Sequence, residues 1–266
     1  MIPLREKGLS NRILDLEVKN VTIIPFLILF QLLFLPFLAL KARDDGHINT
    51  TQMVATFLPV AGLTIWTAIA VMLGIWGIYE SENFYKLYSA LWMPVIPIAI
   101  VFASLALPIG LKGITSILDV TPAHWLAFFQ AGRISAIGTA YHTLQGNFPL
   151  YFEVAVGIPD LCFGLSALVV GILAMQQKIS SRALITWHLI GFLIIVPTAP
   201  LLLQLGLPGE LQVFAHQPTA EAVYTFPMSL APIMVVPTFV TFNLLGIWRE
   251  RRVLKRKLSH NQGGVI

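Results

Sequence analysis

Four residues able to carry charge, Arg133, His142, Glu153 and Asp160, fall in two consecutive apolar segments of a chain that has few charges. "HWLAFFQAGRISAIGTAYHTL" holds the arginine and the last histidine of the four, and "LYFEVAVGIPDLCFGLSALVVG" holds both acids. The short turn "LQGNFP" joins them. If both segments are helices, so short a turn makes them an antiparallel hairpin, and depth can be counted outward from its centre. Arg133 and Asp160 are equidistant from that centre, which falls between Gly146 and Asn147, so they meet at one depth. An unpaired charge there would be costly, whereas a facing Arg and Asp share charge-assisted hydrogen bonds. Pro159 has no N–H to offer the carbonyl of Ala155, which leaves that oxygen as a further acceptor for the five guanidinium donors.

Glu153, Gly157, Asp160 and Gly164 follow at spacings of 4, 3 and 4, which is one face of a helix. The glycines narrow that face, and the two carboxylates stand two turns apart, roughly 10 Å at 1.5 Å per residue. His142 is close in depth to Glu153. Two uses are open. The set is an internal ion pair with an interfacial His and Glu looking at water, or it is a polar pocket reached from the outer face and floored by Arg133 and Asp160. The ligand- or ion-binding candidates are therefore Arg133, His142, Glu153, Gly157, Asp160 and Gly164; no residue is assigned a catalytic role.

Other chemistry is sparse. Cys162 is the single cysteine, which excludes an internal disulfide, CxxC redox chemistry and a thiolate cluster; its expected role is a small buried hydrophobe. His124 and His188 lie near segment ends, where interfacial water satisfies an imidazole, and no HExxH spacing links any two histidines. No metal site and no cofactor are expected. There is no P-loop, GxSxG or Rossmann fingerprint. The last apolar run, "FPMSLAPIMVVPTFVTFNLLGIW", has no lysine for a retinal Schiff base.

Membrane helices carry these residues. The chain is 56% apolar and 11% charged with a mean hydropathy of +0.78, against about 25% charged residues in ordinary soluble domains. Apolar runs long enough to cross a hydrocarbon core cover about 20–40, 53–79, 89–111, 121–143, 150–175, 183–206 and 226–248. Alternation of period two is absent, so the spans are helices that satisfy their own backbone rather than strands of a barrel. The expected fold is all-α: a single bundle of about seven transmembrane helices over residues 1–252, with a basic tail over 253–266. The first run starts after a polar stretch and lacks a small-residue cleavage motif, so it is expected to remain in the mature chain.

Six of the seventeen Lys and Arg residues follow the last span in "RERRVLKRKL", which by the positive-inside rule is cytoplasmic. Seven spans then put Lys41, Arg43, Lys112, Lys178, Arg182 and those six inside, and Arg5, Lys7, Arg12, Lys19 and Lys86 outside. If 121–143 did not cross, a six-span chain would gather more positive charge inside. Seven is nevertheless expected, because that run is long and apolar enough and one central arginine costs only about 2.5–3.5 kcal/mol on insertion scales. The tail is a topology anchor or a patch for anionic lipid headgroups. Nothing in it resembles a nucleic-acid module. "NTT" at Asn49 matches a glycosylation sequon but falls on the inner side.

"GRISAIG", "NFPLYFEVAVGIPDLCFGLSALVVG", "WHLIGF" and "FPMSLAPIMVVPTFV" resemble a widespread group of bacterial integral membrane proteins with no assigned activity, over about residues 125–252. The resemblance implies a multi-pass protein of the plasma (bacterial inner) membrane. It puts Arg133, Pro149, Gly157, Asp160, Gly164, Trp187, Pro227, Pro232 and Pro237 on motif positions. The group usually has asparagine where His188 stands and a second acid where Ile194 stands, so this chain has no acid at that position for a relay.

With one cation, two acids and no evident nucleophile, the first expectation is a module that binds or moves a small molecule or ion through a site between the fourth and fifth helices. A membrane-embedded enzyme acting on a lipid or isoprenoid would need Glu153 and His142 as an acid/base pair. In a structural or assembly subunit, Arg133 and Asp160 would only lock the bundle.

Overall fold

The computed structural model describes residues 22–263, with side chains as far as 259. Arg5, Lys7, Arg12 and Lys19, which entered the charge count, lie outside the described residues. Every regular element described is helical. Six helices are long and apolar enough to cross a membrane: α1 (Ile24–Asp44), α2 (Thr50–Ile75), α3 (Ser89–Ala106), α7 (Leu150–Met175), α8 (Ser181–Gly206) and α9 (Ala231–Ser259). The chain is thus a multi-pass integral membrane protein. Large apolar side chains such as Phe26, Ile65, Val169 and Leu193 cover the outside of the bundle, the arrangement expected where lipid rather than water is the surrounding solvent.

The fourth expected span falls short of that standard because it is broken. It comprises α5 (Ala123–Phe129), a 3₁₀ stretch over Gln130–Ala136 and α6 (Ile137–Leu144). It nevertheless runs along α7: Phe128 packs at Gly171, Arg133 and Ile134 at Gly164. This broken segment, α5 through α6, is therefore packed within the bundle as a neighbour of α7.

The third run continues further than expected. After a break at Leu107 the chain forms α4 (Pro108–Val120), with proline at its first position as suits a helix start. Residues 112–120 were expected to be connection. Instead Gly113 lies on Ala55 of α2, and Gln52 Nε2 donates to Ser116 Oγ at 2.9 Å. Asn49 of the sequon is engaged nearby in capping α2, its side chain accepting from Gln52 N while Gln52 reaches back to Asn49 N.

Two π-helical turns precede prolines by the same offset. Glu153–Gly157 ends two residues before Pro159, and Ala231–Val235 ends two residues before Pro237. A proline ring clashes with the carbonyl four residues back, and a widened turn moves that carbonyl aside. On α9 the displaced carbonyls find side chains: Trp66 Nε1 donates to Ile233 O at 3.3 Å and Gln31 Nε2 to Val235 O at 2.9 Å. Phe34, Phe129 and Phe242 fill the space between α1, α5 and α9 with ring centroids 4.0–5.5 Å apart.

Candidate functional site

Arg133 sits in the 3₁₀ stretch, 2% exposed, and its Nε donates to Asp160 Oδ1 of α7. Nη2 also lies against that oxygen as an ion pair but is not aligned for a hydrogen bond. The remaining contacts come from α8 and α7. Nη1 donates to the carbonyl of Gly191 at 3.0 Å, and the guanidinium carbon lies 4.4 Å from the centroid of the Phe163 ring. This corrects one expectation: the extra acceptor is Gly191 O, not the Ala155 carbonyl freed by Pro159. One guanidinium thus ties the 3₁₀ stretch, α7 and α8 together.

Gly164 permits that geometry. A Cβ there would lie 2.6 Å from Ile134 N and 2.8 Å from the Arg133 carbonyl carbon. Any side chain at 164 would push α7 away from the 3₁₀ stretch and stretch the ion pair.

Glu153 opens the π-turn of α7 and is 2% exposed. Its carboxylate folds back over Gly157, where a Cβ would meet Oε2 at 2.3 Å and Oε1 at 2.7 Å. Neither oxygen has a hydrogen-bond partner among the described residues. Thr139 of α6 faces it, but the Thr139 hydroxyl donates to Ala136 O at 2.8 Å instead. His142 stands exposed near the end of α6, its ring beside Tyr141. The four titratable residues therefore do not converge on one open pocket: Arg133 and Asp160 meet, Glu153 is closed into a seat made by its own helix, and His142 stays outside.

His188 corrects a second expectation. It is not at an interface but 2% exposed within the bundle, with Nδ1 3.0 Å from Asn243 Oδ1 of α9. α8 begins at Ser181, so position 188 is already two turns deep. The signal that could have found the pair is Asn243 itself, an amide inside the apolar "FVTFNLLG" that needs a partner in lipid. Trp187, beside it, stacks on Phe163 at 4.5 Å and donates to Ser166 Oγ at 3.0 Å. Cys162 corrects a third: it is exposed on the lipid-facing side of α7 rather than buried.

At the C-terminal end, Arg252 Nε and Nη2 donate to Asp119 Oδ1 and Oδ2, each at 2.6 Å, and Arg256 also pairs with Asp119. Those bonds hold the Asp119 carboxyl below its ordinary range, with the Arg252 hydrogen bond as the main cause. Arg249 donates to Thr121 O at 3.1 Å and pairs with Glu250. Among the described residues, no group of three or more His, Cys, Asp or Glu side chains could hold a metal ion. Comparison with protein families, curated proteins and solved structures finds no match to this chain.

Proposed function

We propose that this integral membrane protein binds and moves a proton or a small monovalent cation at Glu153, with Arg133 and Asp160 as the fixed charges behind the site. The observation that supports the reading is the Glu153 carboxyl, 2% exposed and without a partner for either oxygen among the described residues. A bare carboxylate in apolar surroundings is too costly to persist, so the group holds a proton or a cation. The charge balance agrees. Arg133 and Asp160 cancel, and an ionised Glu153 leaves a net charge of −1 that one proton or one monovalent cation neutralises. The π-turn under it is a device often found where a helix has been adapted to function.

An acid/base enzyme gains less support, because His142 is exposed and is not hydrogen-bonded to Glu153. We place the site in a plasma membrane with the basic C-terminal end of the bundle in the cytoplasm, following the Lys and Arg excess there.

The test is flux. Protein reconstituted in vesicles with an internal pH indicator and opposed sodium or potassium gradients should move protons or one of those ions, and Glu153→Gln should abolish the movement. Unchanged flux in that variant, or none in the native protein, would remove the reading.

A further inference from the structure

We propose that the C-terminal end of the bundle carries a seat for one phospholipid with a net negative headgroup, held by its phosphate. A groove of about 820 Å³ lies between the start of α5, the turn joining α7 to α8, and α9. Its polar wall presents Arg182, Arg249, Lys257 and Ser181, and its apolar wall Met175 and Leu254. Both kinds of surface are needed to hold a lipid: cations for the phosphate and an apolar strip for the first carbons of a chain. The groove stands where α7 ends and α8 begins, the level at which headgroups meet hydrocarbon.

Charge selects the ligand. Of the basic residues in "RERRVLKRKL", Arg252 and Arg256 are occupied by Asp119, and so are not free to make a general polybasic patch. Within the groove Glu250 is paired to Arg249. Arg182 and Lys257 are exposed and make no salt bridge among the described residues, which leaves two positive charges on its wall. A zwitterionic lipid would bring its own cation into that field; an anionic one would not. Arg249, held by Thr121 O and Glu250, provides a guanidinium beside the two exposed cations, and guanidinium geometry suits phosphate oxygens.

Full-length protein should be compared in nanodiscs of phosphatidylcholine alone and of phosphatidylcholine mixed equally with phosphatidylglycerol, with the lipid retained after detergent extraction read by native mass spectrometry. One phosphatidylglycerol per protein should be retained in excess of its share of the bilayer. The double change Arg182→Ala/Lys257→Ala should weaken that retention about 30-fold, from roughly 1 kcal/mol for each basic residue near the headgroups. Arg251→Ala/Lys255→Ala, on the same tail but outside the groove, should leave it intact. Both pairs are exposed, and equal thermal unfolding of the two variants would show that neither change acts through folding. Equal losses from the two pairs would mean diffuse attraction by the tail and would overturn the seat. So would retention of both lipids in bulk proportion, or displacement of phosphatidylglycerol by inorganic phosphate at equal concentration, which would assign the groove to free phosphate.

Discussion

Gly164 of α7 lies so close to Arg133 that a Cβ would stand 2.8 Å from its carbonyl carbon and 3.2 Å from its Cβ. The glycine and the ion pair are one device, since the approach of the two backbones sets the reach of the guanidinium to Asp160. Gly164→Ala should therefore destabilise the folded protein by about 1–3 kcal/mol, the usual cost of overpacking. Gly138→Ala, where a Cβ meets nothing within 4 Å, should be neutral or slightly stabilising through helix propensity. Loss of folded protein in graded denaturing detergent measures both. Equal behaviour of the two would detach Gly164 from the pair.

Asp160→Asn leaves the 2%-exposed Arg133 without a counter-charge, and breaking a buried pair on one side costs about 3–5 kcal/mol. Replacing both members by apolar residues, Arg133→Met with Asp160→Leu, should cost less than either single change, because no uncompensated charge remains. Exchanging the charges should rescue little. A carboxylate at 133 would face the Gly191 carbonyl and the Phe163 ring, both suited to a cation. Substantial rescue by the exchange would show that Gly191 and Phe163 contribute nothing to the preference.

The Arg133–Asp160 pair was legible because a short turn fixes relative depth, and counting from "LQGNFP" needs no knowledge of side-chain direction. Six of the seven apolar runs are legible as spanning helices from their length against bilayer thickness, while the fourth is broken in the structure. What escaped depended on lateral packing. Lys112 and Asp119 end the apolar run at α4, yet its Gly113 lets it close on the backbone of α2. His188 was misplaced because the helix before it starts earlier than the apolar run does. The closure of Glu153 could not be read at all, since its seat is made by a π-turn that shifts every neighbour on that face.

Asp119 is a clamp on the outgoing end of α9, and its carboxyl is held below its ordinary value of 3.8 by Arg252. A carboxyl depressed in the folded state stabilises fully above its unfolded value and loses that contribution as pH falls through the folded one. The clamp should therefore be constant above pH ~4 and fade below it. Asp119→Asn should lower stability modestly, by about 1 kcal/mol or less for a partly exposed network, and should flatten that part of the acid limb. The measurement is unfolding against pH for both proteins. An identical acid limb would dismiss the clamp.

If the broken segment α5–α6 crosses along with the six long helices, the start of α1 and the end of α9 lie on opposite sides of the membrane, although the charge count of the sequence alone favours six spans. Single cysteines at positions 5 and 260, in a Cys162→Ala background, should label from opposite sides of the membrane, with position 260 reached only from the cytoplasm. Labelling of both from the cytoplasm would mean that α5 and α6 do not cross.

Glu153 and Asp160 stand two turns apart on α7, yet their substitutions should separate. Asp160 is held by Arg133, so its loss reaches the bundle. The Glu153 carboxyl makes no hydrogen bond among the described residues, and Glu153→Gln keeps its shape while removing its charge, so it invokes none of the mechanisms that make single substitutions costly and thermal stability should stay within about 0.5 kcal/mol of the native protein. Binding should not survive. Infrared difference spectra between cation-free protein and protein saturated with sodium or potassium should show loss of one protonated carboxyl band as a cation replaces the proton, and Glu153→Gln should lack that band. If the proton alone is the cargo, neither cation changes the spectrum and the same band disappears instead on raising pH. A spectrum unaltered by Glu153→Gln in both titrations, or a variant as unstable as Asp160→Asn, would make the acid a packing element and leave the bundle with a structural role.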